Sequence, residues 1–322
     1  MAGRFWLILS GRARCAPAAS RIWSPIQRTP NGRSSERSGV LIQREKDIMG
    51  LIDFRARPNT REIMSLYDQP GREFLWKRWG CPPPPKVELA DFMADLRGVG
   101  VTRAVVTGRQ VVSDQGVAFG TSNDYIADCV KRYPDVLIGF AGIDVSSGDR
   151  AVAEIERAVR DLGMKGISID PFTARILPND RQLYPLYEKA AELGIPVVTT
   201  VGPLVGRFGD PYLFDEPTAD FPMVKFVYSH AVWPQVLDWL GLAFRRPNVF
   251  LEPSIYWTNP GCDAMWIAAN GQLSDQIIYA SAFPFASLNA MEKIRARWDW
   301  SDEAWHRFTY ANAARILGIE EG

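Results

Sequence analysis

The regular alternation of short apolar runs with amphipathic segments constrains the fold of this chain more than any other feature. From Gly50 onward, runs of six or seven residues rich in Val and Ile are each followed by a longer segment with helical periodicity. Repeated units of this kind build a parallel sheet covered by helices. The predicted strands are 50–55, 102–107, 136–142, 165–170, 195–200, 224–230, 248–253 and 276–282.

The segments between these runs are predicted to be helices. In 149–162, Val152, Ile155 and Val159 recur at helical spacing, and charged residues occupy the other faces. Eight strands and about eight helices match the size of an α/β (β/α)₈ TIM barrel. A doubly wound open sheet is the alternative, but no Gly-rich turn follows the first strand. The predicted helices are 87–98, 122–132, 149–162, 181–193, 234–245, 261–270, 287–297 and 302–316.

The first 48 residues differ in charge from the rest. They carry nine Lys or Arg against three acids, whereas the remaining 274 residues carry 28 bases against 34 acids. Met49 lies directly before the first predicted strand. We interpret 1–48 as an upstream-extended or disordered leader of a cytoplasmic protein, and 49–322 as the barrel domain. An organellar transit peptide is the alternative for the leader.

Composition excludes several classes of protein. The formal net charge is +0, so no overall basic charge indicates nucleic acid binding. No apolar run approaches the roughly 20 residues that a membrane-spanning helix needs. The four cysteines show no Cys-x-x-Cys spacing, so neither a zinc ribbon nor a redox pair is predicted. We therefore expect a soluble protein that binds a small molecule, without a nucleic acid or membrane partner.

Polar residues at the predicted strand ends define the candidate site, because the active face of a barrel is built at the carboxyl ends of its strands. Only two histidines, His230 and His306, are present for proton transfer near neutral pH. The long segment 58–86 after the first strand is predicted to be an insertion, either a lid or partner surface or a packed surface element. The residues at the strand ends are Arg55, Arg57, Arg109, Asp144, Asp170, Thr200, His230, Glu252 and Ala282.

Nine short motifs lie between residues 123 and 318 and carry a resemblance that covers nearly all of residues 50–318. Together they resemble the amidohydrolase-related proteins of the metal-dependent hydrolase superfamily, in the branch of aminocarboxymuconate-semialdehyde decarboxylase. The resemblance implies a TIM barrel of the metal-dependent hydrolase type. The motifs are 123–125 (NDY), 132–135 (RYPD), 162–167 (LGMKGI), 183–187 (LYPLY), 192–198 (ELGIPVV), 229–230 (SH), 247–252 (PNVFLE), 280–285 (ASAFPF) and 312–318 (NAARILG).

The resemblance implies a metal site, and this chain departs from it. The family pattern is a His-x-His pair after the first strand, a His after the fifth, often a His after the sixth and an Asp after the eighth. Here those positions hold Arg55, Arg57, Thr200, His230 and Ala282, so only His230 matches. Arginine is cationic and has no lone pair to offer a metal ion. We therefore expect no metal ligands and no cofactor.

Two arginines are predicted to replace the positive charge of the missing metal. Residues 55 and 57 alternate onto the same face of the strand, where they can bind a carboxylate or stabilise an oxyanion. His230 is the expected proton carrier, so the predicted catalytic residues are His230, Arg55 and Arg57. The predicted substrate contacts are Asp170, Thr200, Glu252, Arg109, Trp233 and Tyr256.

Several functions remain open at this point. The leading hypothesis is a metal-independent enzyme that hydrolyses a lactone, ester or amide of a small carboxylated, cyclic or aromatic substrate. A metal-free pyrone-dicarboxylate lactonase of the same superfamily, which holds its substrate with arginines, is the precedent that the resemblance offers. The alternatives are cofactor-free decarboxylation and a non-catalytic protein that binds an anionic ligand. A metal held by Asp53, Asp170, His230 and Glu252 is a further reading, and a homodimer is a further expectation.

Overall fold

The computed structural model describes residues 50–65, 67–68, 73–112 and 118–320. The predicted leader, 1–48, lies outside the described residues, as does part of the predicted insertion 58–86. All statements below concern the described part of the chain.

Seven parallel strands form one sheet, and their order in the sheet follows their order in the chain. The first seven predicted strands are confirmed, with ends that differ by no more than two residues. The strands are β1 (Leu51–Asp53), β2 (Val101–Thr107), β5 (Leu137–Ile143), β6 (Gly166–Ile169), β7 (Val197–Thr200), β8 (Phe226–Ser229) and β9 (Val249–Glu252). The labels β3 and β4 belong to a hairpin described below.

The eighth predicted strand, 276–282, is an irregular segment that still closes the barrel. On one side Leu251 N donates to Gln276 O at 2.8 Å and Ile278 N donates to Leu251 O at 3.0 Å. On the other side Phe54 N donates to Tyr279 O at 3.1 Å. The chain leaves the extended conformation by Ala282, whose φ is 54°. The TIM-barrel class is confirmed, while the prediction of a regular strand over 276–282 was wrong.

A two-stranded antiparallel hairpin, which the sequence did not predict, follows β2 directly. It consists of β3 (Arg109–Val112) and β4 (Ala118–Thr121). Gly120 has a φ of 146°, and a Cβ there would lie only 1.7 Å from Arg109 O, so the two strands need glycine at this position. The hairpin therefore carries Arg109 beyond the end of β2 toward the active face.

Helices flank the strands in chain order and mostly match the prediction. No described helix is both long enough and apolar enough to cross a bilayer. The predicted helix 302–316 is interrupted by a π-helical turn, Arg307–Ala311. The short helices α1, α2 and α7 were not predicted. The helices are α1 (Arg61–Met64), α2 (Glu73–Trp79), α3 (Leu89–Gly98), α4 (Asn123–Arg132), α5 (Asp149–Arg160), α6 (Tyr184–Leu193), α7 (Asp215–Asp220), α8 (Val236–Arg245), α9 (Asp263–Ala269), α10 (Ala290–Arg297), α11 (Asp302–His306) and α12 (Asn312–Leu317).

Apolar side chains from successive strands fill the interior of the barrel, which is a packed core and not a pore. Phe140 is fully buried there and meets Phe54 edge-on, with ring centroids 5.7 Å apart. Gly166 on the next strand leaves room for it, since a Cβ at this position would lie 2.4 Å from the Phe140 ring. The remaining members of this inner cluster include Ile52, Val105, Val198, Val227, Phe250 and Ile278.

Removal of the Phe140 ring tests this interior. We expect Phe140→Ala to lower the free energy of unfolding by about 3–5 kcal/mol, because the inner cluster cannot collapse around the void. Urea denaturation followed by tryptophan fluorescence measures the change. The matched control is Phe244→Ala on α8, whose ring is 68 % exposed and whose loss should change stability by less than about 0.5 kcal/mol. Equal effects of the two substitutions would contradict the assignment of the core.

Candidate active site

Arg55 and Arg57 follow β1 and place two guanidinium groups at the mouth of the barrel, as predicted. Both residues are buried, with exposed fractions of 3 % and 6 %. Arg55 Nη2 donates to Thr200 Oγ1 at the end of β7, at 2.9 Å. Nε and Nη1 of Arg55 and Nη1 of Arg57 are buried and have no hydrogen-bond partner among the described residues. Buried charged donors without partners are unfavourable, so this arrangement indicates an anionic ligand.

The two arginines also affect each other. Burial, together with the nearby charge of Arg57, lowers the pKa of Arg55 to about 9. Arg55 therefore still carries its charge at neutral pH. The Arg57 guanidinium lies 5.6 Å from the centroid of the Phe285 ring, which supplies a cation–π contact on one side.

Asp53 holds the end of β1 in place. Its Oδ1 accepts hydrogen bonds from the backbone N of Arg55 at 3.1 Å and of Ser281 at 2.9 Å. It therefore joins β1 to the closing segment of the barrel. Burial raises the pKa of Asp53, and hydrogen bonds from Ser281 oppose that shift. These backbone contacts assign Asp53 a structural role next to the arginines.

Arg109 reaches the site from the β3–β4 hairpin and forms an ion pair with Asp170, which follows β6. The distance from Arg109 Nη2 to Asp170 Oδ2 is 2.9 Å, and Oδ1 of Asp170 has no partner within the described chain. Arg109 is therefore paired with a carboxylate, whereas neither Arg55 nor Arg57 forms an ion pair with any of the described residues. The positive charge left for a ligand is concentrated on the two residues after β1.

His230 follows β8 and has a left-handed backbone, with a φ of 71°. Its backbone N donates to Glu252 O at 2.7 Å, and its Nδ1 shares a hydrogen bond with the Ser254 hydroxyl. Burial and the positive charges of Arg55, Arg57 and Arg109 lower the pKa of His230 well below its usual value of 6.5. The imidazole is therefore uncharged at neutral pH, and Nε2 is the nitrogen available to a molecule in the site.

Glu252 lies behind His230 at the end of β9 and is 1 % exposed. Its Oε2 accepts a hydrogen bond from the Ser229 hydroxyl, while Oε1 is buried without a partner of normal geometry in the described residues. Burial raises the pKa of Glu252 to about 7, although the charge of Arg55 and hydrogen bonding by Ser229 and Ser254 oppose that shift. Glu252 was predicted to contact the substrate, but the structure places it in the layer behind the cavity wall.

A cavity of about 340 Å³ lies above these residues. Its polar floor includes Arg55, Arg57, Arg109, Thr200 and His230, which sequence reasoning had grouped together. Its walls are mostly aromatic and come partly from the segment 58–86. Cavities of this size and composition suit a small molecule with a flat, apolar body. The aromatic lining residues are Tyr67, Phe74, Trp79, Phe172, Tyr256 and Phe285.

Other sequence-predicted residues lie outside this cavity. Trp233 does not line it and instead packs against Tyr256, with ring centroids 6.3 Å apart. Asp144 caps a turn by accepting from Ser146 N at 3.0 Å. His306 stacks on Tyr310, with ring centroids 5.8 Å apart.

Sequence reasoning missed two serines beside His230. Ser229 lies next to His230 in the chain, but its role depends on Glu252, which is 23 residues away. Ser254 follows β9 by two residues and has a φ of 42°. The only sequence signal was the position of both serines near predicted strand ends, and that position does not show which way a hydroxyl points.

The described residues do not fit the metal that the barrel family implies. Arg55, Arg57, Thr200 and Ala282 occupy four of the five ligand positions, and none of them supplies an imidazole or a carboxylate. No group of three or more His, Cys, Asp or Glu side chains in the described ranges is arranged to hold a metal ion.

A profile of the amidohydrolase family matches residues 53–319. A 2-keto-4-carboxy-3-hexenedioate hydratase from Sphingobium sp. is 29 % identical over 233 residues, which cover 55 % of this chain and 68 % of that protein. A 2-amino-3-carboxymuconate-6-semialdehyde decarboxylase from Dictyostelium discoideum is 28 % identical over 85 residues, covering 26 % of this chain and 24 % of that protein. A solved TIM-barrel protein from Bordetella bronchiseptica, itself uncharacterised, aligns with a TM-score of 0.75 and 29 % identity, covering 84 % of this chain and 99 % of that one.

The side chains at the five ligand positions of the family predict that the protein binds little metal. Protein incubated with Zn²⁺ or Mn²⁺ and then dialysed should retain far less than one ion per chain by elemental analysis, because arginines occupy the ligand positions after β1. A variant that combines Arg55→His, Arg57→His, Thr200→His and Ala282→Asp should retain more of either ion than the wild type. One stoichiometric ion in the wild-type protein would contradict this account.

The raised pKa of Glu252 predicts a pH-dependent stability. The folded protein holds a proton on Glu252 up to about pH 7, whereas the unfolded chain releases it near pH 4.5. The free energy of unfolding should therefore fall in the wild type as pH rises from 5 to 8. Relative to the Glu252→Gln variant, the fall should reach up to about 3 kcal/mol. Urea denaturation at both pH values measures the difference. Glu188→Gln, at an exposed glutamate on α6, is the control and should show no such trend.

Proposed function

The chain belongs to the amidohydrolase family, as an enzyme of hydrolase or carboxy-lyase type, and we propose that it decarboxylates a small cyclic or aromatic acid without a metal ion. One observation carries the proposal. Arg55 and Arg57 line the same cavity as an uncharged His230, and guanidinium donors of both arginines are buried without a hydrogen-bond partner in the described residues.

The two guanidinium groups supply the binding energy for an anion. A carboxylate or an enolate oxygen accepts hydrogen bonds from guanidinium donors in a planar geometry, and such charge-assisted bonds are roughly twice as strong as neutral ones. Arg55 is oriented by its bond to Thr200, so its remaining donors are directed before the substrate arrives. Preorganised donors of this kind stabilise charge that develops during a reaction.

The aromatic walls favour a flat substrate. Tyr256 and Phe285 come from different segments of the chain and both border the cavity. Phe285 also contacts Tyr67 and Trp79, with ring centroids 4.9 and 4.3 Å apart. A planar ring gains stacking contacts against such surfaces. The substrate is therefore an acid whose carboxylated or hydroxylated edge meets the arginines while its ring meets the aromatic side chains.

Decarboxylation fits this distribution of charge. His230 Nε2 delivers a proton to the substrate carbon that bears the carboxylate. The bond between that carbon and the carboxylate then breaks, carbon dioxide leaves, and the electron pair returns to the ring and is delocalised onto the ring oxygen that Arg55 and Arg57 bind. Positive charge at the oxygen lowers the barrier without a metal, because it stabilises the anion that forms when the bond breaks.

The similar proteins support a carboxylated substrate and a lyase reaction. By their names, the Sphingobium relative is a hydratase and the Dictyostelium relative a decarboxylase, and both act on acids with a carboxyl substituent. Ala282 is at the position where the family usually has an acid, so this site lacks the usual group that activates water. Both points favour decarboxylation over hydrolysis.

Hydrolysis is the second candidate, because an uncharged His230 can act as a base toward water. A lactone or ester carbonyl would then lie against Arg55 and Arg57. The two reactions are distinguished by their products: decarboxylation releases carbon dioxide and consumes a proton, whereas hydrolysis incorporates oxygen from labelled water.

The proposal predicts which substitutions abolish turnover. On a panel of aromatic and cyclic carboxylates assayed after exhaustive chelation, wild-type protein should release carbon dioxide. His230→Asn should lower kcat by about 10²–10⁴-fold, and Arg55→Met should lower kcat/KM by about 10²–10³-fold. Arg150→Met, at an exposed arginine on α5, is the matched control and should retain full activity.

Two outcomes would refute the proposal. Activity that disappears on chelation and returns with Mn²⁺ would show that a metal carries the reaction. Saturable binding of these acids, with no release of carbon dioxide and no hydrolysis across the panel, would show that the arginine site only binds.

A further inference from the structure

His230 must move a proton without becoming charged. Its ring lies among three arginines and is 9 % exposed, so an imidazolium at this position is strongly disfavoured. A neutral imidazole can still release a proton from Nε2 if Nδ1 receives another proton in the same event. The group that faces Nδ1 must therefore supply this proton.

Nδ1 faces a chain of hydroxyl and carboxyl groups that leads away from the cavity. It shares a hydrogen bond with Ser254, and Ser254 lies close enough to the carboxyl of Glu252 to influence its ionisation. Oε2 of Glu252 is bound by Ser229, which leaves Oε1 buried and without a partner of normal geometry in the described residues. Oε1 is therefore the oxygen available to Ser254.

We propose that Glu252 is the proton reservoir of this site, and that Ser254 and His230 pass its proton to the molecule in the cavity. The proposal rests on the proposed function only for the identity of that molecule. Glu252 does not touch the cavity and acts through His230, so it is a positioning and supply residue.

The transfer balances over two arrangements of the same groups. In the loaded arrangement, Oε1–H of Glu252 donates to Ser254 Oγ, Ser254 donates to His230 Nδ1, and His230 carries its proton on Nε2. When Nε2–H goes to the substrate carbon, Ser254 passes its proton to Nδ1 and Glu252 passes its own to Ser254. Glu252 ends as a carboxylate, and His230 stays neutral with its proton on Nδ1. In each turnover a proton from solvent in the cavity returns to His230 Nε2 while Nδ1 passes its proton through Ser254 to Glu252. This restores the loaded arrangement, and the proton taken up is the one that decarboxylation consumes.

The charges around Glu252 favour this direction. Arg55 stabilises the carboxylate that the transfer leaves behind, whereas the same arginine opposes an imidazolium. Asp53 is another acid near Glu252, and its negative charge opposes ionisation of Glu252. The Tyr279 side chain also lies close enough to interact electrostatically with Glu252. Asp53 is held by two backbone N–H groups, so it is not placed to supply the proton. Burial gives Glu252 a pKa of about 7, which lets it hold and release a proton near neutral pH.

The backbone supports the alignment of Glu252, Ser254 and His230, which together form the proposed proton relay. His230 and Ser254 are both non-glycine residues with positive φ, at 71° and 42°. Such conformations are strained and persist only where surrounding contacts hold them. The hydrogen bond from His230 N to Glu252 O fixes the distance between the two strand ends, so both turns present their side chains to each other.

Nitrogen NMR of the resting protein tests the proposal without any substrate. Only two histidines are present in the chain, so His306→Gln assigns the His230 signals directly. A ring nitrogen that carries a proton differs clearly in its ¹⁵N shift from one that does not. At pH 8.5, where Glu252 is ionised, wild-type His230 should carry its proton on Nδ1. Glu252→Gln donates from its amide to Ser254, so it should move that proton to Nε2 at the same pH.

Two further variants keep the test decisive. Ser254→Ala removes the acceptor of Nδ1–H, and a buried N–H without an acceptor is unfavourable, so this variant should also show the proton on Nε2. Glu188→Gln on the exposed face of α6 should leave the tautomer unchanged, and unchanged His306 signals report that each variant is folded. The same tautomer in the wild type, Glu252→Gln and Ser254→Ala would overturn the relay.

Kinetic measurements distinguish a failure of the relay from a failure of the proposed function. Once a substrate is found, Glu252→Gln should lower kcat by about 10²-fold with little change in KM, because it removes the supply of protons and not a substrate contact. If no acid on the panel is turned over, the proposed function fails while the tautomer result still stands. If turnover is found but the tautomer does not respond to Glu252, the relay fails and the function stands.

Discussion

The rest of this site depends on two guanidinium groups, which are buried at the end of the first strand and have donors without a partner in the described part of the chain. Burial and their charge lower the pKa of His230 and keep it neutral, and the charge of Arg55 favours the ionised form of Glu252. Their charge also favours an anion in the cavity, because Asp170, the carboxylate that forms an ion pair at this site among the described residues, is bound by Arg109. The aromatic walls lower the local dielectric, which strengthens charged contacts on the cavity floor.

The barrel provides the same strand ends that a metal-dependent relative would use, but with a different source of positive charge. A metal ion polarises an oxygen from a single point and lowers the pKa of bound water. Two guanidinium groups spread their charge over several directed donors and do not activate water. Such donors suit the stabilisation of an anion formed by breaking a carbon–carbon bond. The proton that the reaction needs must then come from His230 and the groups behind it.

Sequence reasoning could locate the cavity floor because it depends on strand order and period alone. Arg55, Arg57, Thr200 and His230 each follow a predicted strand, and parallel strands bring their ends together. The β3–β4 hairpin was missed because its pairing depends on Gly120, whose φ of 146° is not visible in the sequence. The relay was missed because it depends on the positive φ of Ser254 and on a carboxyl that points away from the cavity. These are properties of packing and not of periodicity.

Isothermal titration of phthalate into metal-stripped protein tests the central claim most directly, because phthalate is a flat aromatic acid without a reactive function in this site. The account predicts saturable binding that weakens as salt is added, is lost in Arg55→Met and Arg57→Met, and is unchanged in Arg150→Met. Binding that appears only after Zn²⁺ or Mn²⁺ is added, and that survives both substitutions, would contradict it.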